Sequence, residues 1–401
     1  MVNECQIKSM DFFLLLIVLI LINQILISSL KRKFTFVSKK LLNGLFFYHL
    51  LFLGIYYSYA ILKGSDSLEY YKSAVAIGNN CQIFTFTGTR FIDNFSAFFV
   101  QLGLSYFSIM LLFAWFGYIG FVYAYVFFRE NIPLNVKVFG KFDLLKLLLF
   151  LPNMHFWTVS LGKGSLIFMG LMLFTYAVKI PKKRLLLLIM GGFFVYMIRP
   201  AVMLFVLVGV LAGLLTGKEK MSPFMRFIII VGALSFLFAA RTTILGVANL
   251  QNSENVIDDF QKFSSVASDR LEGSAGSGVS MNSYPLPLKL FTFWFRPLFF
   301  DSPSVLGIFS SAENLVYLLL FFKICNRRFV KFIKRAPYMV KMSAITFLLS
   351  SFALTFVMSN LGIIMRQKSM VMYFGFFVIY YFLANEEWLR IQKRKAQTVS
   401  S

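Results

Sequence analysis

The sequence predicts an all-α polytopic membrane protein with about 11 transmembrane helices and two long periplasmic loops. Hydrophobic residues make up 58% of its 401 residues, and Phe alone occurs 51 times. Charged residues make up only 14%, whereas soluble domains contain about 25%. A chain of this composition cannot cover its surface with polar groups, so most of that surface is expected to face lipid.

The predicted spans follow from apolar runs of about 20 residues, the length that crosses a bilayer as a helix. One run, 185–216, is longer than one span and is interrupted by Arg199 and Pro200. Because Pro disfavours a continuous helix and Arg is costly at the bilayer centre, this run predicts two short helices that meet at an Arg-Pro tip. The other runs are 11–30, 41–62, 105–128, 142–160, 164–178, 226–248, 303–324, 338–358 and 369–385.

The distribution of basic residues predicts the orientation. The chain has 40 Lys and Arg residues against 17 Asp and Glu residues, a formal net charge of +23. In a soluble protein this excess would indicate nucleic acid; here it indicates membrane topology, and we expect no nucleic-acid partner. If the 31–40 loop is cytoplasmic, 26 of the 40 basic residues fall on the cytoplasmic side, as the positive-inside rule requires. The cytoplasmic segments are then 31–40, 129–141, 179–184, 217–226, 323–341 and the tail from 386.

The sequence therefore predicts a multi-pass protein of the bacterial inner membrane, with a periplasmic N-terminus and a cytoplasmic C-terminus. The N-terminus lacks the basic region and cleavage site of a signal peptide, so the run 11–30 is expected to remain as the first span. A single transmembrane domain is predicted over 1–401, with periplasmic loops at 63–104 and 249–302. The second loop is expected to hold a polar helix, a Gly/Ser-rich hinge and an amphipathic return with Trp294 in the interfacial aromatic belt.

Seven cations remain at the outer ends of the predicted spans, where the positive-inside rule does not explain them. Each alone could extend to lipid headgroups or pair with an acid. Together they indicate a missing anion that arrives as a ligand. Because Arg and Lys suit phosphate oxygens, we expect them to bind a lipid-linked pyrophosphate at the outer leaflet. They are Arg90, Lys163, Arg199, Arg241, Arg296, Arg366 and Lys368.

Acidic residues near the outer side are candidates for proton transfer. Asp66 and Glu69 are spaced i, i+3, so a helix would present both on one face. They are expected to act as a general base or as a metal or sugar ligand. The alternative is a capping box, in which Ser65 or Asp66 caps the helix and Glu69 supports the cap. Glu313 lies inside an apolar run and is expected to pair with an arginine or to hold the arginines in place.

His155 is the third catalytic candidate. It lies beside a helix break at Pro152, near the predicted outer face, and imidazole titrates near neutral pH; the alternative is a structural histidine. His49 lies within an apolar run and is assigned no role. Two histidines exclude a multi-histidine metal centre, and no metal site is predicted. The cysteines, which lack metal-site spacing, are Cys5, Cys81 and Cys325.

Short segments spread from about residue 64 to 375 occur in an order typical of one family. They are GSDSLEYY, GTRFIDNFSAFF, LPNMHFWTVSLGKGSL, VYMIRPAVMLFVL, WFRPLFF followed by AENLVYLLL, and NLGIIMRQKSM. In this order and topology the chain resembles the O-antigen and capsular polysaccharide polymerases, and within them the EpsG-like branch.

The resemblance implies a fold similar to C-type membrane glycosyltransferases and no metal or soluble cofactor. It implies a hexosyltransferase-type enzyme that joins undecaprenyl-pyrophosphate-linked oligosaccharide units at the outer face of the inner membrane, for O-antigen, capsule or exopolysaccharide. The outer arginines would then hold the pyrophosphate. Implied partners, besides membrane lipid, are a lipid-linked-sugar flippase and a chain-length regulator.

Three alternatives remain open at this stage. A C-type glycosyltransferase would add a single sugar from a polyprenyl phosphate, and Asp66 and Glu69 partly meet its requirement for an acidic pair. A flippase or transporter of lipid-linked oligosaccharide would tend to show internal repeats and midplane charges, which the sequence lacks. A ligase would transfer the glycan to a lipid acceptor.

Overall fold

The computed structural model describes residues 9–218, 222–247, 264–266, 268, 278–279, 281–301 and 305–400. Chain contacts divide it into two compact units. The N-unit consists of 1–130 and 149–199, and the C-unit of 131–148 and 200–401.

Both units are helical wherever the structure describes a regular element, apart from one short hairpin. The hairpin pairs β1 (Lys137–Val138) with β2 (Phe142–Asp143). The helices are α1 (Ser9–Lys33), α2 (Lys39–Lys63), α3 (Asp66–Ile77), α4 (Thr89–Gln101), α5 (Tyr106–Asn131), α6 (Leu144–Leu149), α7 (Pro152–Thr158), α8 (Lys163–Val178), α9 (Leu185–Ile198), α10 (Pro200–Thr216), α11 (Pro223–Val247), α12 (Leu286–Phe295), α13 (Val305–Phe322), α14 (Arg327–Arg335), α15 (Tyr338–Val357) and α16 (Leu361–Ser400).

Five helices among the described residues are long and apolar enough to cross a membrane: α1, α2, α5, α11 and α15. A sixth span results if α13 and α14, which meet at an angle of 80°, are counted together. The chain is therefore an all-α protein with the helices of a multi-pass membrane protein, while the predicted number of about 11 spans is not confirmed. Shorter apolar helices, α8, α9, α10 and α12, account for much of the difference.

Two apolar runs that contain Pro were predicted differently, one as two short helices and one as a single span, and only the first prediction is confirmed. The break in 185–216 is confirmed, because α9 ends at Ile198 and α10 begins at Pro200. The single span predicted over 142–160 is wrong, because that run divides into part of the hairpin, α6 and α7. Pro152 has no amide hydrogen to continue a helix and instead occupies the first turn of α7, where none is needed.

The N-unit is built around α5. In the most apolar window of α5, 89% of the residues are buried, against 22% in α1 and 33% in α2. A helix that is apolar on all faces and buried belongs to a core, whereas α1 and α2 leave apolar surface for lipid. The hairpin of α8 and α9 packs closely because Gly170 and Gly191 let the two backbones approach.

The predicted cytoplasmic segments of the N-unit lie together at one end. Tyr125 donates a 2.6 Å hydrogen bond to the Phe36 carbonyl. Arg184, which follows α8, forms a buried ion pair with Glu130 at the end of α5. At the other end of α5, the Ser105 amide donates to Asp11 over 2.9 Å. The segments therefore separate into the two groups that the basic residues predict.

The C-unit shows the same separation. The Lys341 ammonium donates to the Thr216 carbonyl over 2.5 Å, so two predicted cytoplasmic segments meet. Arg328 pairs with Glu386 at 3.1 Å. Elsewhere in the unit, the Val279 amide donates to the carbonyl of Ser359, which joins two predicted periplasmic segments over 2.8 Å.

The two predicted periplasmic loops differ in how much of them is described. The first loop contains α3 and α4, which pack on each other. The polar helix and Gly/Ser hinge predicted at the start of the second loop lie mostly outside the described residues. Its return forms α12, in which the half-buried ring of Trp294 stacks between those of Phe321 and Phe347 and its Nε1 donates to Ser351 over 2.9 Å. The position of Trp294 in an interfacial aromatic belt stays a prediction.

Candidate functional site

The beginnings of α4 and α8 lie in contact through Lys163. The chain turns at Gly162, whose φ of +153° favours glycine, and Lys163 becomes the first residue of α8. Its Nζ donates a 2.7 Å hydrogen bond to Oγ1 of Thr89, the first residue of α4. Arg90 follows directly and is exposed, with its guanidinium 5.5 Å from the centre of the Phe86 ring.

The beginning of α4 also contacts the end of α9. The Gly88 amide donates a 2.7 Å hydrogen bond to the carbonyl of Met197, two residues before Arg199. The Arg199 amide closes the last turn of α9 on Val195, and its side chain is half-buried. Three predicted outer cations therefore stand within two residues of the contacts that join α4, α8 and α9. We name Arg90, Lys163 and Arg199 the N-unit cation cluster.

The N-unit cation cluster has an unusual electrostatic setting. Arg90 and Lys163 stand in the first turns of α4 and α8, where unsatisfied amides make the helix end positive. Neither helix start has a side-chain capping bond. The acid that acts on Lys163 is Asp93, whose Oδ1 is buried and without a hydrogen-bond partner among the described residues. Burial raises the pKa of the Asp93 carboxyl, and the Lys163 ammonium opposes that shift only in part.

The two predicted acids of the first loop lie on α3, which packs on α4. Asp66 and Glu69 are both exposed in its first turn, as the i, i+3 spacing predicts. A capping box with Ser65 as its cap is contradicted, because Ser65 occupies the cap position without making a capping bond. Its hydroxyl instead contacts Ser67 at 2.6 Å, and Ser67 contacts the Tyr106 hydroxyl at 2.7 Å.

His155 lies in the packed interior of the N-unit. Its Nε2 is 2.8 Å from the Leu149 carbonyl and its Nδ1 is 2.7 Å from Nδ1 of His49. Because a carbonyl only accepts, His155 Nε2 carries the hydrogen and its Nδ1 accepts from His49. The Phe121 ring stacks on His155 at 4.1 Å, and both imidazoles are buried. This contradicts the expectation that His155 meets a substrate at the outer face, and it corrects the view that His49 has no role.

In the C-unit, Arg296 is already neutralised. Its Nε and Nη2 donate to the two carboxylate oxygens of Asp301, each over 2.8 Å. Burial alone would raise the pKa of the Asp301 carboxyl, but hydrogen bonds from Arg296 and from the Leu298 amide hold it below its ordinary value. The expectation that Arg296 awaits an external anion is therefore wrong, and its ion pair organises the turn before α13.

Lys368 is fully enclosed in the C-unit. Its Nζ donates to the Arg296 carbonyl over 2.6 Å and to Asn314 Oδ1 over 2.8 Å. Glu313, which hydrogen-bonds to Tyr317, is buried and interacts electrostatically with Lys368. An ammonium held on all sides does not face a ligand, so the expectation of direct pyrophosphate binding by Lys368 is contradicted.

The remaining two predicted cations differ in exposure. Arg241 is exposed on α11, and its guanidinium lies 4.1 Å from the centre of the Phe238 ring. Only 11% of the apolar window of α11 is buried, so its exposed side chains are those of a lipid-facing helix. Arg366 is half-buried in the second turn of α16.

Sequence reasoning missed Thr89 and the pairing of the two histidines. Thr89 lies in a turn with Gly88, a weak signal for a helix start next to Arg90. Its contact with Lys163 spans 74 residues and has no local signature. The histidine pair could have been suspected because both residues of this type lie in apolar runs, where a lone imidazole lacks a partner.

Comparisons with protein-family models, with curated proteins and with solved structures find no match for this chain. The functional conclusion therefore depends on the chemistry of the site.

Proposed function

We propose that this chain is a polysaccharide polymerase that joins undecaprenyl-pyrophosphate-linked oligosaccharide units at the outer face of the inner membrane. The observation that carries the proposal is the N-unit cation cluster. Its three cations gather around two helix starts, at the end of the unit opposite the predicted cytoplasmic segments. The family resemblance of the sequence points to the same reaction.

Placing cations at helix N-termini is unfavourable in the absence of an anion. Amides and cations that converge on one place are the arrangement by which proteins bind phosphate groups. Arg199 follows two residues after the Met197 carbonyl that contacts the α4 start, and its planar guanidinium suits the oxygens of a pyrophosphate better than an ammonium does. A lipid carrier would bring that pyrophosphate to the membrane surface, where the sequence places this end of the N-unit.

In the proposed reaction, an acceptor hydroxyl oxygen forms a bond to the anomeric carbon of the donor sugar. The bond from that carbon to the pyrophosphate oxygen breaks, and the lipid pyrophosphate leaves with the electron pair. Arg90, Lys163 and Arg199 stabilise the charge that develops on the leaving oxygen, because they are held in place before reaction. The acceptor proton passes to Asp66 or Glu69, the exposed acids of α3, or to water.

The C-unit residues have other proposed roles. Arg366 is the C-unit cation that we retain as a candidate ligand of substrate. Lys368, Glu313 and Arg296 act as positioning residues, since their charges are satisfied inside the unit. Arg241 contacts lipid.

The test uses purified protein in nanodiscs with a lipid-linked repeat unit, and products are resolved on a gel. We expect a ladder of polymer from the native chain. Arg90→Ala, Lys163→Ala and Arg199→Ala should each slow ladder formation about 100-fold, the usual effect of losing one preorganised charge donor. Lys183→Ala removes an exposed ammonium among the predicted cytoplasmic segments and should leave the rate unchanged.

Other outcomes would overturn the proposal in distinguishable ways. Addition of one sugar would identify a single-sugar glycosyltransferase, and movement of unmodified substrate across the bilayer would identify a transporter. Normal ladders from all three cluster variants would remove the N-unit cation cluster from the site.

A further inference from the structure

An open groove of about 560 Å³ lies between the end of α1 and the start of α2. It is on the predicted cytoplasmic side of the N-unit and contains none of the residues assigned to the polymerase site. We name it the headgroup groove. Its lining residues are Gln24, Ile25, Ser28, Lys31, Arg32 and Lys39.

Three of the lining residues are cations and none is an acid. Lys39 Nζ donates to Ser28 Oγ over 3.0 Å, and Lys31 Nζ donates to the Thr35 carbonyl over 2.8 Å. Both acceptors are neutral, and within the described parts of the chain neither lysine nor Arg32 forms an ion pair. Lys39 is also the first residue of α2, at the positive end of that helix. The groove therefore suits an anion.

The surroundings of the groove indicate that this anion carries a hydrocarbon chain. Gln24 donates a 2.9 Å hydrogen bond to Asn43, which fixes the level at which α1 and α2 meet. Within about one turn of this level, large apolar side chains are exposed: Leu21 by 59%, Ile25 by 68% and Phe47 by 62%. A soluble anion gains nothing from these surfaces, whereas a lipid covers them with its acyl chains.

We propose that the headgroup groove binds an anionic glycerophospholipid. Its phosphate contacts Lys31, Arg32 and Lys39, and its acyl chains lie on Leu21 and Phe47. The inference requires that α1 and α2 cross the membrane, but it does not depend on the polymerase function. Basic recesses between membrane helices on the cytoplasmic side are the usual place for such headgroups.

The test measures lipid retained by the purified full chain in native mass spectrometry, after exchange into phosphatidylglycerol or phosphatidylcholine. The native chain should retain phosphatidylglycerol in preference to phosphatidylcholine. The triple variant Lys31→Gln, Arg32→Gln, Lys39→Gln should retain at least about tenfold less phosphatidylglycerol, because charged hydrogen bonds to the phosphate are lost.

The matched control is Lys393→Gln, Arg394→Gln, Lys395→Gln, which loses the same charge at the exposed end of α16. It should retain phosphatidylglycerol as the native chain does. Equal retention by both triple variants would overturn the proposal, because binding would then be unrelated to the groove.

Two further arms address the hydrocarbon and the source of the phosphate. Phe47→Ser keeps all three cations and should also lower retention. Inorganic phosphate at millimolar concentration should not displace the lipid. Full displacement would overturn the lipid assignment and leave a site for free phosphate.

If the triple variant does not fold, Arg32→Gln alone should lower retention of phosphatidylglycerol. Unchanged retention in that variant and in Phe47→Ser would overturn the proposal.

Discussion

Arg90 and Lys163 stand where an isolated helix favours a carboxylate over a cation. The sequence predicts them as site residues because the positive-inside rule does not explain cations at the outer ends of the predicted spans. It could not predict that Lys163 contacts Thr89, since that contact depends on how α8 packs beside α4. It also could not separate them from Arg296, whose ion pair with Asp301 becomes visible only in the folded turn. Charge at the outer side was predictable, but the partner of each charge was not.

In the proposed function, Asp93 sets how strongly the N-unit cation cluster holds an anion. Its ionised carboxylate competes for Lys163, so Asp93→Asn should tighten binding of a lipid pyrophosphate analogue about fivefold, for a change near 1 kcal/mol. Burial raises the Asp93 pKa, so in the native chain affinity should fall as pH rises through that raised pKa. The variant should lose this dependence, which titration of the analogue at several pH values measures.

The control for Asp93 is Glu387→Gln, which removes an exposed carboxylate at the far end of α16. It should change neither the affinity nor its pH dependence. Weaker binding by Asp93→Asn would show that the carboxylate supports the anion site rather than competing with it.

The buried pair of Arg184 and Glu130 should dominate the stability of the N-unit at its basic end. The guanidinium also donates to the Tyr176 carbonyl over 2.7 Å and lies 3.8 Å from the centre of that ring. Glu130→Ala should lower the free energy of unfolding by about 3 to 5 kcal/mol, because it leaves a buried cation without its partner. Denaturant unfolding in detergent measures the change.

Glu387→Ala breaks an exposed ion pair with Arg390 and serves as the comparison. It should lower the free energy of unfolding by less than about 1 kcal/mol. A similar cost for both variants would mean that the Glu130 pair is exposed in the folded protein.

Single elements show where sequence reasoning about helices works and where it fails. The break at Arg199 and Pro200 was predictable because two local features, a proline and a charge, coincide in an apolar run. The division of 142–160 was not, although Pro152 was recognised as a break. The run is apolar enough for a span, but β2 takes its first two residues, and α6 ends at Leu149 before α7 begins at Pro152.

The α8–α9 hairpin depends on close backbone contact. A Cβ on Gly191 would lie 2.5 Å from the Phe174 nitrogen and 2.7 Å from the Gly170 oxygen. Gly191→Leu should therefore force the two helices apart. It should lower the free energy of unfolding by at least about 2 kcal/mol. Gly232→Leu is the matched control on α11, where no atom lies within 4 Å of the added carbon. Thermal unfolding should separate the two variants, and equal midpoints would contradict this packing.

For the whole molecule, the helices of a multi-pass membrane protein are confirmed, whereas the predicted number of about 11 spans is not. Length and hydropathy count apolar runs, but they do not reveal which runs fold as short helices that pack inside the protein. Hydropathy also does not reveal how deeply a helix is buried in the tertiary structure, as 89% in α5 and 11% in α11 illustrate for two apolar helices of similar length.

Native cysteines give a direct test of the topology. Cys81 is partly exposed in the predicted periplasmic loop, and Cys325 is exposed in a predicted cytoplasmic one. In variants with one cysteine each, an impermeant maleimide should label Cys81 on intact spheroplasts and should label Cys325 only after permeabilisation. The reverse pattern would mean that the chain is inserted the other way round, with the N-unit cation cluster facing the cytoplasm.

Helix α16 continues without a break for 40 residues, about 60 Å at 1.5 Å per residue and roughly twice the hydrocarbon thickness. Near its start Lys368 holds the Arg296 carbonyl, and farther along Glu386 is held by Arg328. A rigid rod transmits displacement along its axis, which a jointed connection would absorb. A cytoplasmic protein that displaced the last turns of α16 along the helix axis would therefore also displace the turn before α13. It would do so without entering the bilayer.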